Sequence, residues 1–533
     1  MTRSTLYRHP RIFTGTAPDA FAEAFLVEDG RVTWVGAARD APETDRTENL
    51  EGGLVLPGLI DTHTHPTWIA RIVDAVACGA PAVTSIDELV EALRGHQKLG
   101  IDGEWVDGWG YDEAQLAERR TPTRDDLDRV STTQPVHVLR SDAHSGVCNT
   151  RALEIAGITR DTPDPPGASF GRHPDGTPNG VLTEVAANHA VMRHMRSPGF
   201  EADVDALVRV STHLAERGIV AVTDMACVPG SYEQLDLYRE AARRGFKQNV
   251  RVFYVFDALR DRPVKAPTGE QGQVAVGGVK LFLDGSVSNR TAWMRTPFRG
   301  SATEHGFRTA SPEEVAAAAA YSREHRIQLA VHAMGDRALQ EVVDVLGEEE
   351  PWLDTVPSVR VEHATVLDAD LVARMAGARM AFGVATNVDF LFAEHGSYAA
   401  NLTGEQLARC YPVRTLYDGL GPAALSSDCP ATTWPDPDDP FMSIQAAVTR
   451  RAHDGSEMNA VQAVTVGEAL MLYTGRARLV TDLGDVGRIV PGAEASFVTV
   501  DRDLFEVGPS TIIDSAVTGT WIRGEQVYER ARP

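Results

Sequence analysis

An apolar run in this chain ends on three polar residues. In Leu56-Pro-Gly-Leu-Ile-Asp-Thr-His-Thr-His65, the stretch from Leu54 to Ile60 gives way to Asp61, His63 and His65. The run is short, apolar and bounded by Gly and Pro, which predicts one buried β-strand over 54–63. Side chains alternate along a strand, so His63 and His65 face the same way. Two imidazoles on one face at a strand end can grip one metal ion. With 16 His in the chain, about half a His-x-His pair arises by chance, so the motif needs support from elsewhere.

That support comes from four further runs. His332 ends Ile327-Gln-Leu-Ala-Val-His332, and His363 ends Val359-Arg-Val-Glu-His363. Asp428 closes Ala423-Ala-Leu-Ser-Ser-Asp428, and Lys280 sits inside Val279-Lys-Leu-Phe-Leu283. Each has a plain structural alternative: a core histidine bonded to backbone, an Asx turn, a snorkelling lysine. An unpaired ammonium is costly to bury at Lys280. A neutral amine, its pKa lowered by burial and nearby metal charge, avoids that cost. Such an amine can react with carbon dioxide to give a carbamate, which is a bridging carboxylate. Six such residues at predicted strand ends point to a metal centre.

The elements that must position them alternate. After the first strand come seven short apolar runs, at 219–224, 250–256, 276–283, 327–332, 359–363, 380–384 and 423–428. Helical periodicity covers 201–217 and 312–325, the second opened by a Ser311/Glu314 capping box. Eight strands alternating with helices make an α/β protein with a (β/α)8 TIM-type barrel, whose chemistry lies at the C-terminal strand ends. The termini differ. Arg11–Thr14, Ala22–Val27 and Arg31–Gly36 read as strands, with a hairpin at Asp29-Gly30. Segments 487–490, 496–501 and 516–528 have the same texture. The two ends, 1–55 and 485–533, are expected to form one small β-sandwich domain. The barrel then takes 56–66 and 206–484. Residues 67–205 are too many for one crossover. They are expected to form an inserted α/β subdomain over the barrel mouth, with helices at 85–98, 123–130 and 149–156, a strand at 135–139 and a Pro- and Gly-rich stretch from 162 to 180.

Composition bounds the partners. The net charge of −24 disfavours nucleic acid and anionic membranes. Five Cys, at 78, 148, 227, 410 and 429, include no Cys-x-x-Cys pair, which argues against a zinc ribbon or a disulfide framework and for reduced thiols. Met1–Phe13 lacks an apolar core of signal-peptide length. No uninterrupted apolar stretch of about 18 residues predicts a membrane span. A cytoplasmic protein acting on a small molecule is expected.

Taken together, these segments resemble the amidohydrolase superfamily, and its amidohydrolase-3 branch of YtcJ-like and N-substituted formamide deformylase-like proteins. Pro57–His65 is similar to the first metal motif. Gly108-Trp-Gly-Tyr111, Thr121–Asp128, His144–Leu153, Lys280–Ser286, Val331–Arg337, Val361-Glu-His363, Ser427-Asp428 and Gly487–Gly492 carry the likeness over nearly the whole chain. Two segments depart from it. Val147 and Cys148 stand where relatives place an aromatic, in a segment expected near the pocket, and Ser496 replaces a usual Asp.

The resemblance implies two divalent ions, with zinc suited to an imidazole-rich set. His63, His65 and Asp428 would hold one, His332 and His363 the other, and N6-carboxylysine at Lys280 would bridge them. It implies hydrolysis of a non-peptide C–N bond, in an amide, N-acyl or N-formyl compound, by a metal-bound hydroxide. Asp428 would accept the water's proton and pass it to the leaving nitrogen. Asp61 is read as strand-end structure. Trp109, Tyr111, His144, Ser286 and Trp293 are candidates to line the substrate pocket, and a homodimer is implied. Two alternatives stand beside this. A deaminase of the same superfamily would use one metal and no bridging lysine. A non-catalytic metal-dependent binding protein would have lost a ligand, and none is missing.

Overall fold

The computed structural model describes residues 4–44, 46–72, 75–80, 82–195, 199–228, 230, 232–261, 272–432, 434 and 436–531. The chain divides into two compact units. One comprises residues 1–67, 207–427 and 438–533; the other comprises 68–206 and 428–437.

The first unit contains the barrel. Its eight strands are Leu59–Thr64, Ile219–Cys227, Asn249–Val255, Val274–Phe282, Gln328–Ala333, Val359–His363, Phe382–Thr386 and Ala423–Leu425. They are called strands one to eight below. They pair in parallel, each with the next in sequence. Every residue of strands one, two, five, six, seven and eight is buried. Such strands read as apolar runs rather than as alternating ones, which is why the eight could be counted from sequence. Helices intervene as the periodicity predicts, at Phe200–Glu216 and Pro312–His325. The Ser311/Glu314 capping box forms, with both reciprocal bonds in place.

Strands eight and one are tied by side chains. Ser427 donates from its N–H (3.3 Å) and from Oγ (2.6 Å) to the Asp61 carboxylate. Asp61 therefore acts in the architecture, joining the last strand's end to the first strand.

The run at 54–63 corrects the sequence reading. It is two strands, not one. Leu54–Pro57 pairs antiparallel with Phe497–Val500, whereas Leu59–Thr64 pairs with strand two. The break falls at Gly58. A Cβ there would lie 2.5 Å from both γ-methyls of Val220, so only glycine fits where the chain passes from one sheet to the other.

The terminal sheet is built from both ends of the chain. Its order is Glu525–Glu529, Val517–Ile522, Phe497–Val500, Leu54–Pro57, Ser4–Phe13, Phe21–Glu28 and Arg31–Gly36, with Thr47–Asn49 paired to Ser4–Phe13. The hairpin at Asp29-Gly30 forms, both residues at positive φ (47° and 76°), as a two-residue primed turn requires. Tyr7, Phe25, Val55, Ile489, Phe497 and Trp521 share its core, and Phe497 stacks on Trp521 at 4.7 Å. Residues 487–490 are not a strand. Gly487 at φ 78° interrupts the extended run, and only Ile489 reaches the sheet, donating to Thr14 O at 2.9 Å.

Removing everything from Gly487 onward should therefore prevent soluble expression. It strips Ile489, Phe497 and Trp521 from the core, a loss on the order of 5 kcal/mol, and exposes the edge of Leu54–Pro57. A soluble, active product ending near residue 480 would show that the N-terminal strands stand without their C-terminal partners.

The second unit has a six-stranded mixed sheet. Its order is Ser169–Arg172, Pro178–Thr183, Gly146–Cys148, Val136–Arg140, Val106–Tyr111, Val76–Ala77. Helices Ile86–Arg94, Arg124–Leu127 and Thr150–Ala156 lie where they were expected, capped by Ser85, Thr123 and Asn149. The Pro- and Gly-rich stretch holds an antiparallel strand pair that its composition concealed. Among the described residues, no helix is long and apolar enough to cross a membrane.

Candidate metal centre

The strand ends gather the histidines. His63, His65, His332 and His363 are all buried, as are Lys280 and Asp428. His63 and His65 lie 5.6 Å apart between ring centroids, His63 and His363 4.8 Å, and His332 and His363 4.4 Å. His63, His363 and Asp428 offer ligand atoms that all lie within 4.8 Å of one another. His65 and His332 flank that trio, ring against ring. Lys280 is 1% exposed, its Nζ 5.3 Å from the Phe282 ring centroid.

Each imidazole has one nitrogen committed to the protein. His63 Nδ1 meets the Glu362 carboxylate at 2.6 Å, and His65 Nδ1 meets Met225 O at 2.7 Å. His363 Nδ1 meets Asn387 Oδ1 at 3.0 Å, and His332 Nε2 meets Gly285 O at 3.2 Å. All four partners are acceptors, so those ring nitrogens carry the protons. In the neutral ring, the nitrogen left to meet a cation is Nε2 of His63, His65 and His363 and Nδ1 of His332. Imidazoles oriented in this way, beside a carboxylate, fit a divalent cation.

Two groups that sequence reading passed over support this set. Arg360 is fully buried, and its guanidinium contacts both Glu362 oxygens at 3.0 and 3.1 Å. It also donates to Thr62 O at 2.6 Å and lies over the Phe253 ring at 5.0 Å. Burial alone raises the Glu362 pKa; the Arg360 charge and the His63 hydrogen bond outweigh it and pull it down to about 2. Asp61 behaves oppositely. Burial raises it to about 6 despite the bonds from Ser427. One signal for the Arg360–Glu362 pair was available. Val359-Arg-Val-Glu-His363 places opposite charges two apart on a buried strand, and buried charges must pair.

Three residues here have a left-handed backbone. His363 (φ 68°), Ala364 (φ 46°) and Asp428 (φ 52°) occupy the left-handed region without being glycine. Each costs of order 1–3 kcal/mol and persists only where the surroundings impose it.

Residues 46–528 match the sequence profile of the amidohydrolase family. The chain belongs to the amidohydrolase family. It is 27% identical to N-substituted formamide deformylase of Arthrobacter pascens, over 99% of each chain. It is also 27% identical to the Bacillus subtilis protein YtcJ, over 96% of each. An uncharacterized metal-dependent hydrolase from Pyrococcus horikoshii shares the fold, with a TM-score of 0.75 at 23% identity over 95% of this chain and 99% of that one. A second, from Pyrococcus furiosus, gives 0.72 at 24% over 94% and 100%.

Within this amidohydrolase, the pocket candidates read from sequence separate. Trp109 is half-buried on Val106–Tyr111. Tyr111 is a correction: it is 0% exposed in the second unit's core, packed with Leu89, Leu93, Val136 and Val147. The register slips between the two, where Gly110 takes φ 92°, and turns the phenol inward. Val147 and Cys148 are corrected likewise. They fall on opposite faces of one strand, each in an apolar core, and offer nothing to a substrate. His144 is half-buried and meets Glu184 at 3.0 Å through Nδ1. Burial lowers its pKa, but the Glu184 hydrogen bond and charge reverse that and leave it raised.

The loop after strand four is held by its own residues. Ser286 Oγ accepts from Asn289 N at 3.2 Å, so its hydroxyl serves the loop. Trp293 faces a different cleft of about 320 Å³, lined also by Arg295, Arg337, Gln340, Glu341 and Asp344. Arg337 lies over its indole at 4.5 Å. Asp284 accepts from Trp293 N, Met334 N and Gly335 N at 2.8–3.0 Å, locking this loop to the end of strand five beside His332. Ser496 is structural, its Oγ donating to Glu494 at 2.6 Å and accepting from Arg523 N.

Proposed function

We propose that this chain is a metal-dependent hydrolase of a small amide, cleaving a non-peptide C–N bond such as that of an N-formyl or N-acyl amine. The observation that carries the reading is the buried group of His63, His363 and Asp428, flanked by His65 and His332. The likeness to N-substituted formamide deformylase over 99% of each chain supports the substrate class.

In this reading, His63, His65 and Asp428 hold one divalent ion, and His332 and His363 hold a second. Carboxylated Lys280 would supply a further anionic donor. Ions held there would supply Lewis acidity and make a coordinated water acidic near neutral pH. Asp428 accepts a proton from the attacking water as its oxygen bonds to the carbonyl carbon. It returns that proton to the amine nitrogen as the C–N bond breaks. One water is consumed, and a carboxylic acid and an amine leave. The hydrogen bonds at Nδ1 of His63, His65 and His363 hold those rings still through the cycle.

Metal removal tests this directly. Wild-type protein dialysed against a chelator should lose hydrolysis of a panel of N-substituted formamides and N-acyl amines, and regain it on adding zinc. Formate or the longer acid is the product to measure. Full activity in metal-stripped protein would overturn the reading. Release of ammonia from amines without acid formation would replace it with deamination.

A further inference from the structure

Four histidines face this centre, and their backing groups are unequal. His65 rests on a peptide carbonyl, His332 on a peptide carbonyl and His363 on a neutral amide. His63 rests on a carboxylate, in a hydrogen bond of 2.6 Å. Glu362 is itself fixed. It is 0% exposed and spanned by Arg360, which also reaches the carbonyl of Thr62 on strand one. Arg360 thus holds strand six to strand one at the residue next to His63. The arrangement has a directional consequence. A carboxylate on Nδ1–H increases the electron density at Nε2 and allows one ring orientation.

We propose that Glu362 is a positioning residue for the metal centre, acting through His63 and held in register by Arg360. The inference rests on the metal-dependent reading above. His63 Nε2 is then a stronger donor than it would be without that carboxylate. Arg360 contributes no charge to the ion, because its own is offset by Glu362. Its part is to keep the carboxylate from turning toward the ion and displacing the imidazole.

Zinc affinity of the chelator-stripped full-length protein, measured by competition with a chromophoric chelator, separates the outcomes. Removing Glu362 alone leaves Arg360 as an uncompensated buried charge, so the variant to test is Arg360→Met with Glu362→Gln. It keeps the volume and leaves the interior neutral. Its metal-free melting temperature should stay close to wild type, while zinc binding weakens at least about tenfold. Should that pair not fold, Glu362→Asp keeps the charge beside Arg360 and shortens the reach to Nδ1, and the same loss is expected. A loss smaller than that in the folded variant would overturn the inference. The controls are distinct: a wild type that binds no zinc defeats the metal reading, whereas a wild type and a variant that bind alike defeat only the role of Glu362.

Discussion

Asp428→Asn should abolish turnover while leaving the fold intact. The change is nearly isosteric, so the loop that follows strand eight keeps its shape. Asparagine tolerates the left-handed region well, and the φ of 52° adds no new strain. The carboxylate is what disappears. An amide oxygen is a weaker partner for a cation, and it accepts no proton near neutral pH. Losing a positioned proton acceptor costs about 10²–10⁴ in rate. Loss of a ligand at the same atom adds to this, so a fall of at least about 10³ in kcat/KM is expected on an N-formyl amine. The melting temperature of the metal-free protein should not move. Turnover within tenfold of wild type, in metal-replete and folded protein, would remove Asp428 from both roles.

Lys280→Ala is expected to cost both metal and activity. Lys280 is 1% exposed, between Val279 and Leu281 at 1% and 2%, with the Phe282 ring beside its Nζ. A protonated amine there is disfavoured by burial and further by cations next to it. The neutral amine bonds through nitrogen to the carbon of carbon dioxide and sheds one proton, giving an anion that those cations attract. Lys280 should therefore carry one carbon dioxide in the metal-loaded protein and none after chelation. Incorporation of ¹³C-bicarbonate, read as a carbamate carbon resonance, is the measurement. In Lys280→Ala, bound metal should fall, and a short-chain carboxylic acid should restore part of both metal and turnover by standing in the same space. An unmodified amine hydrogen-bonded to protein oxygens in a metal-replete crystal would make the site mononuclear and favour deamination.

Much of this molecule was legible in its chain. All eight barrel strands, the Asp29-Gly30 hairpin, the Ser311 cap and the composite terminal sheet followed from patterns spanning a few residues. Such patterns are local: burial on both faces makes a strand apolar throughout, and a cap is specified by residues three apart. The chemistry-bearing types at the strand ends were legible for the same reason, since each interrupts an apolar run.

Tertiary structure decided how those residues associate. His63 finds Glu362 across 299 positions, and Asp61 finds Ser427 across 366. Both contacts exist only because the sheet curls until strand one meets strands six and eight. No local period encodes them. The trio of His63, His363 and Asp428 likewise comes from three segments far apart in the chain. Tyr111 reached the core through a one-residue register slip. The first strand divided at Gly58 because Val220, from a strand 162 positions further on, leaves no room for a side chain. Sequence thus determined which groups stand at the ends of which strands. Curling of the sheet determined which of them touch, because contacts across a nearly closed barrel depend on register between segments that only the folded core brings together.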